Sequence, residues 1–434
     1  MLQPVAPHAI NQRRTSSERA FLSPLDIIVE CIQKSDENEE ALMRGSLDGI
    51  RVLEAASFIA GPYCAMMLAD QGADVIKVER PGSGDENRAE PPFFKGESAP
   101  FMLWNRNKRS VTLDLKVAED KERFLKLVDT ADVLIENFRT GAMDRLGFGY
   151  EELALRNPRL IYASVTGYGG TGPLSKTGGF DLVLQGFTGL MALSGGEHEG
   201  PHRLPIPICD IAAGLYLSVG VLSALQARER TGRGQRVETS LYEAGLALQL
   251  YEAASYFATG ETPRKLGQKH RGVAPYQVFP TSDGHITLGI AQQNFWIRFC
   301  ESVGQPELAS DPRFTTNGNR MTNNDDLVVV MTDILVKDTT EAWLNRLDAL
   351  GVPSGPIQTT DQALTHEQAV VRGMVVSVTH PIVGVTKTLG SPIKMSEFPP
   401  SVRMPAPLLG EHNDSLLESL AAIEKPRRNK GASS

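Results

Sequence analysis

The feature that most constrains this chain is a recurring alternation of short apolar runs and helical stretches over residues 51–165, interrupted between Glu79 and Ser110. Arg51-Val52-Leu53-Glu54 reads as a strand, Gly61 to Gln71 as a helix, and Asp74-Val75-Ile76-Lys77-Val78 as a second strand ending at Glu79. The pattern continues with a strand at Ser110–Leu113, a helix at Glu119–Ala131, a strand at Val133–Ile135, a helix at Glu151–Asn157 and a strand at Leu160–Val165. Strands joined by helices through short connections can pair only in parallel, so the sequence predicts a doubly wound, Rossmann-like open sheet. Such sheets bind ligands beyond the carboxyl ends of their strands.

A chain of 434 residues is too long for one compact core, and its texture changes after Gly260. Before that point a glycine-rich stretch (167–200) leads into an apolar helix from Ile211 to about Arg230, then a short strand and a helix over Leu241–Ala258. The expected organisation is an N-terminal extension (1–46), a large domain built from 47–240 with 345–420, and a linker helix (241–265). A smaller α+β domain (266–330), a return linker (331–344) and a loose tail (421–434) complete it. Gly351 to Pro356 is expected as a rigid turn.

Lys and Arg number 44 against 52 Asp and Glu, a net charge of −8, which argues against a nucleic-acid binder while leaving room for a phosphate-bearing small molecule. Cys31, Cys64, Cys209 and Cys300 contain no CxxC pair, so neither a disulfide framework nor a thiolate metal site is expected. No apolar run is read as approaching the ~18–20 residues of a membrane span. Arg13, Arg14 and Arg19 lie in an N-terminus without an apolar signal core, so the expected compartment is the cytoplasm, with a mitochondrial transit segment as the alternative.

Two motifs match on paper and fail on mechanism. Gly167-Tyr-Gly-Gly-Thr-Gly172 spells G-x-G-x-x-G, but Pro173 and Gly178-Gly179 prevent the long helix whose amides would face a pyrophosphate, and Pro173 stands where a P-loop has its lysine. His198-Glu-Gly-Pro-His202 spells H-E-x-x-H, but Gly200 and Pro201 forbid the continuous helix that zinc chelation needs. No metal site is expected.

What remains is a cationic set at the mouth of the sheet. Arg80 and Asn137 follow strands, and Asn105-Arg-Asn-Lys-Arg-Ser110 precedes one, so an anionic ligand is expected. Asp210 stands before the apolar helix. Residue type alone leaves two readings open, an N-cap or an ionised nucleophile toward an activated acyl group.

These segments resemble the class III coenzyme A transferases. The likeness is carried by Leu47-Asp-Gly-Ile-Arg-Val-Leu53, Ala60-Gly-Pro62, Gly72 to Gly82, Asn105 to Ser110, Glu136-Asn-Phe138, Gly167 to Pro173, Asp210, Thr231 to Gln235 and Leu408-Leu-Gly-Glu-His412, in the family's order. The resemblance implies that Asp210 is the catalytic aspartate, carrying anhydride and aspartyl-CoA thioester intermediates. It implies that Phe58, Arg80, Lys108, Arg109, Asn137 and Arg145 line a CoA channel, and that ring-shaped subunits interlock as a homodimer. CoA esters and carboxylates are the implied substrates, with no separate cofactor and no nucleic acid or membrane as partner. The related α-methylacyl-CoA racemases are the alternative, but they use a histidine base where this chain has Phe180 before Asp181, and phenylalanine moves no proton. A non-catalytic CoA-binding protein is a second alternative. Members acting on oxalate carry a longer glycine run as a lid where this chain has Gly267-Gln-Lys-His-Arg-Gly272, and Pro91-Pro92-Phe93 with Ala274 to Gln277 is nearer to transferases using succinyl-CoA and dicarboxylates.

Overall fold

The computed structural model describes residues 45–416 and 418; residues 1–44 of the expected extension and the expected tail 421–434 lie outside the described residues. The first half of the chain runs β1 (Arg51–Ala55), α1 (Ala60–Asp70), β2 (Asp74–Glu79), β3 (Lys108–Thr112), α2 (Ala118–Thr130), β4 (Val133–Glu136), α3 (Tyr150–Arg156) and β5 (Ile161–Thr166). It continues through α4 (Asp181–Phe187), α5 (Ile208–Thr231) and β6 (Arg236–Ser240). The six strands form one sheet in the order β3-β2-β1-β4-β5-β6, and every neighbouring pair is parallel. The order reverses between β1 and β4. Their outgoing loops therefore diverge and open a crevice at the carboxyl edge, the place where sheets of this kind take ligands.

Alternate strand residues go to opposite faces. Val52, Val133, Ile135 and Ile161 pack with Cys64 and Leu68 of α1 and with Leu217 and Val221 of α5. Leu53, Ile76, Leu134 and Tyr162 pack on the other face with Phe124 and Leu127 of α2 and Leu153 of α3. The predicted doubly wound sheet is thus found, with strand ends displaced by at most two residues. The basic cluster is not a loop before a strand: Lys108 and Arg109 are the first residues of β3, opposite Val75 and Ile76.

α5 corrects the reading that no apolar run reaches membrane length. It is long and apolar enough to span a bilayer, yet half of its apolar window is buried within the protein. It crosses against α1 at Gly214, where any side chain would meet the Ala60 carbonyl oxygen at 2.8 Å. A core helix between sheet and solvent passes the same test of length and composition.

Leu241 to Thr259 forms two helices, α6 (Leu241–Ala247) and α7 (Leu250–Thr259), where one linker helix is expected. Beyond them, β7 (Tyr276–Pro280), β8 (His285–Gly289), α8 (Gln293–Ser302), α9 (Asn324–Leu335), α10 (Thr340–Ala349) and β9 (Ser354–Pro356) follow. The three strands form an antiparallel sheet. Phe279, Ile286, Trp296 and Phe299 share one core with Met331, Leu335, Trp343 and Leu347. Of residues 331–344, expected as a return linker, 331–335 and 340–344 therefore belong to α9 and α10 and bury apolar side chains in this third core, and the expected boundary at 330 falls inside it. The expected turn at 351–356 ends in β9, which pairs with β8.

After a hairpin of β10 (Val375–His380) and β11 (Gly384–Leu389), the chain lies along the open edge of β3. The His412 N–H donates to the Ser110 carbonyl at 3.0 Å and the Thr112 N–H to Asn413 Oδ1 at 2.8 Å. Covering an edge strand this way satisfies backbone groups that would otherwise template aggregation.

Candidate active site

The loop leaving β1 has too few residues to turn gently into α1, and Phe58 takes the strain with φ +62°. A non-glycine residue in that region persists only where its surroundings hold it. The Phe58 N–H donates to Asp85 Oδ1 at 3.2 Å, and Asn87 Nδ2 donates to the Phe58 carbonyl at 2.8 Å. Ser57 is clasped by Asn137 from the loop after β4.

Below this loop lies a buried charge cluster. Lys77 Nζ sits 2.6 Å from Glu54 Oε1 and 2.7 Å from Asp85 Oδ2, and Lys108 Nζ sits 2.7 Å from Glu54 Oε2, all four side chains sealed from solvent. Burial works against the Lys77 charge, but Glu54 and Asp85 outweigh it and hold the ammonium protonated. Lys108 also donates to the Pro62 carbonyl at 2.9 Å and to Asn105 Oδ1 at 2.8 Å. Its donors are spent inside the fold.

Two adjoining cavities open at the β1/β4 crevice. The first, about 380 Å³, is lined by Phe58, Arg80, Asp114, Lys116, Asn137 and Arg139 among others. The second, about 530 Å³, has Phe58, Asn137 and Arg139 in common with it and adds Phe180, Asp181, Arg203 and Asp210. Phe58 and Phe180 meet edge to face with ring centres 5.6 Å apart, an aromatic ledge between loops.

Asp210 is not the N-cap of its helix. The cap is Pro207, α5 begins at Ile208, and Asp210 is its third residue. Proline offers no side-chain acceptor, so capping comes from α4: the Cys209 N–H donates to Asp181 Oδ1 at 2.8 Å. Among the described residues no hydrogen bond reaches the Asp210 carboxylate. Burial and then the neighbouring Asp181 carboxylate push its pKa up to about 7. Burial also pushes the Cys209 thiol up to about 12, so it is no competing nucleophile.

Of the sequence-predicted site residues, Phe58, Arg80, Asn137 and Asp210 line these cavities, and Lys108, Arg109 and Arg145 do not. Lys108 is locked in the buried cluster, and Arg109 forks onto Asp74 at 2.6 Å on β2. Arg145 is exposed on the short helix Ala142–Leu146. Sequence reasoning missed Lys116, Arg139 and Arg203, and singled out Asp181 only as the neighbour of Phe180. Arg139 was within reach of the strand-end rule, standing two residues after Asn137, whereas Arg203 lies in a stretch without periodicity. The glycine-rich loop makes no helix at 167–172. It folds back so that a side chain on Gly167 would meet the Gly179 nitrogen at 2.9 Å. Residues 198–202 form a turn and irregular chain, not a helix.

The family model for CoA-transferase family III matches residues 47–413. The acetyl-CoA:oxalate CoA-transferase of Acetobacter aceti is 38% identical over 390 residues, 89% of this chain and 99% of that relative. The succinyl-CoA:glutarate CoA-transferase of Mus musculus is 34% identical over 385 residues, 87% of this chain and 88% of its own. A crystal structure of a CAIB/BAIF family protein from Brucella suis superimposes with TM-score 0.79 at 36% identity, covering 87% of this chain and all of that one. With the parallel sheet, the crevice and the half-buried aspartate already in hand, these likenesses settle the affiliation: the chain is an enzyme of CoA-transferase family III.

Proposed function

We propose that the enzyme moves CoA from an acyl-CoA donor, with succinyl-CoA favoured, to a dicarboxylic acid, and that Asp210 carries the acyl group and then CoA itself. The observation that carries this reading is the Asp210 carboxylate, half-buried, without a hydrogen bond to any described residue, and facing a cavity that adjoins the β1/β4 crevice. An Asp210 oxygen attacks the donor thioester carbon, the C–S bond breaks, and CoA leaves as thiolate. The thiolate attacks the Asp210 carbonyl, giving an aspartyl-CoA thioester and releasing the donor acid. The acceptor carboxylate then attacks that thioester, re-forming an anhydride and freeing the thiolate, which attacks the acceptor's carbonyl and regenerates Asp210. The acyl activation passes from bond to bond, so the cycle draws on no ATP and no resident cofactor.

Arg80, Lys116 and Arg139 form no ion pair with a described residue and would receive the phosphates of CoA, while the Phe58–Phe180 ledge borders the path of its pantetheine arm. Binding so large a handle away from the reacting carbon supplies energy to orient the thioester against Asp210. Dicarboxylate acceptors are supported by the oxalate and glutarate named for the two relatives. An interlocked homodimer is supported by the apolar face that α5 leaves exposed at Leu215, Tyr216 and Val219. The racemase reading lacks its histidine base: Phe180 lines the cavity where a histidine would be needed. A panel of carboxylates incubated with succinyl-CoA and acetyl-CoA, with new thioesters read by mass spectrometry and Asp210 trapped by hydroxylamine, tests the proposal. Product formed with no modification at Asp210 would sink it.

A further inference from the structure

The last residues before Asp210 are gripped from one side by a single helix. Asp181 and Gln185 stand one turn apart on α4, and Gln185 Nε2 donates to Asp181 Oδ2 at 2.6 Å. Asp181 Oδ1 takes the Cys209 N–H. Gln185, itself buried, accepts the Leu204 N–H at 2.9 Å on Oε1, and its amide group reaches the Ile206 carbonyl at 3.1 Å. One acid and one amide therefore fix residues 204, 206 and 209 in place.

Pro207 completes the arrangement. In a capping box the side chain of a helix's third residue reaches back to the cap residue's backbone N–H. Proline has none, and the next N–H, that of Ile208, is taken by the Ile206 carbonyl at 2.8 Å. The donors that would draw the Asp210 carboxylate back onto its own helix are absent or occupied.

We propose that Asp181 and Gln185, with Pro207, are positioning residues for the nucleophile: they hold the entry to α5 and keep the Asp210 carboxylate unbonded and aimed into the cavity. The proposal rests on the reading of Asp210 as covalent carrier. A carboxylate already holding a backbone N–H must give up part of that bond as its oxygen closes on the thioester carbon and the C–S electron pair departs with CoA. An unbonded one does not. Among the described residues, the other charged groups lining the same cavity are Asp181, Glu90, Arg139 and Arg203. Of these, Asp181 is the one that raises the Asp210 pKa.

The test is single-turnover formation of the Asp210 adduct from acyl-CoA in the full chain, followed by peptide mass, with the pH profile of kcat recorded alongside. Asp181→Ala is expected to slow adduct formation about tenfold or more while KM for acyl-CoA stays within about twofold. Asp181→Asn keeps an oxygen for the Cys209 N–H. It should recover most of that rate, and the acidic limb of its profile should move to lower pH because one negative charge beside Asp210 is gone. Pro207→Ala supplies the missing N–H and should slow the adduct with the helix intact, and it decides alone if Asp181→Ala does not fold. Wild-type adduct rates in Asp181→Ala or Pro207→Ala, or an Asp181→Asn enzyme as slow as Asp181→Ala, overturn the proposal. A wild-type enzyme that turns over with Asp210 unmodified overturns the carrier reading as well, and does so before any variant is compared.

Discussion

Asn137 and Ser57 hold each other twice across the crevice: Asn137 Oδ1 accepts the Ser57 N–H at 3.0 Å and Asn137 Nδ2 donates to the Ser57 carbonyl at 2.6 Å. The pair joins the loops after β1 and β4 where the strand order reverses. Asn137→Ala removes both bonds and leaves two backbone groups unpaired, a loss of about 1–3 kcal/mol for each buried group. The expected outcome is a KM for acyl-CoA raised several-fold, with Asn137→Asp, which keeps the acceptor and loses the donor, in between. Steady-state kinetics of the two variants checks this order.

Asp210→Asn should bind acyl-CoA and fail to transfer. An amide is no nucleophile toward a thioester, so the fall in kcat should exceed about 10³-fold. Isothermal titration with CoA separates lost chemistry from lost binding.

The pH dependence follows from Asp210 as well. Its carboxyl rises from an ordinary 3.8 to about 7, and the attacking form is the anion, so kcat/KM should climb with pH and level off above about 7. For stability the sign reverses. The folded state keeps a proton that the unfolded chain releases, so this contribution is complete below about 4 and is lost as pH rises through about 7. Asp210→Asn cannot ionise and should therefore melt higher than wild type at pH 8, by up to a few kcal/mol of stability, with the difference vanishing near pH 4. Thermal melts at the two pH values test the sign.

Lys108 and Arg109 are adjacent in sequence and should behave in opposite ways. Lys108→Met leaves Glu54 with one fewer partner in a sealed site, where breaking a pair costs about 3–5 kcal/mol. Arg109→Ala removes a partly exposed pair to Asp74 and should change stability by less than about 1 kcal/mol. Neither should change KM for acyl-CoA in the folded enzyme. A KM effect at Arg109 without a stability effect would return that residue to the ligand.

Arg203 lines the Asp210 cavity and pairs with no described acid. It is expected to receive the second carboxylate of a dicarboxylic acid. Arg203→Gln should raise KM for dicarboxylate acceptors by about tenfold or more and leave acetyl-CoA as donor unaffected, because acetyl-CoA carries no second carboxylate. A rise in KM for acetyl-CoA instead would make Arg203 part of the CoA grip.

The sheet was legible because its central strands β1, β2, β4 and β5 are buried on both faces and helices recur between the strands, a pattern that composition and period express locally. The third core was legible only in part. β9 is three residues of Ser, Gly and Pro, and nothing in that run suggests a strand until β8 pairs with it. At the site, Asp210 could be found but not its place in the helix, because the acid that caps α5 comes from Asp181, 28 positions upstream of the N–H it accepts. Lys108 misled for the complementary reason. A lysine among other cations reads as surface, and only the fold shows that Glu54 lies two strands away, waiting inside.

Two lysines and two acids sum to zero in the cluster of Lys77, Lys108, Glu54 and Asp85. The floor beneath the strained Phe58 loop is consequently electroneutral and out of reach of mobile ions, whose screening at physiological strength acts over about 8 Å of water. Added salt can weaken what Arg80, Lys116, Arg139 and Arg203 hold at the rim without softening the platform on which they stand. The enzyme can thus trade grip on a polyanionic handle against ionic strength while its geometry stays the same.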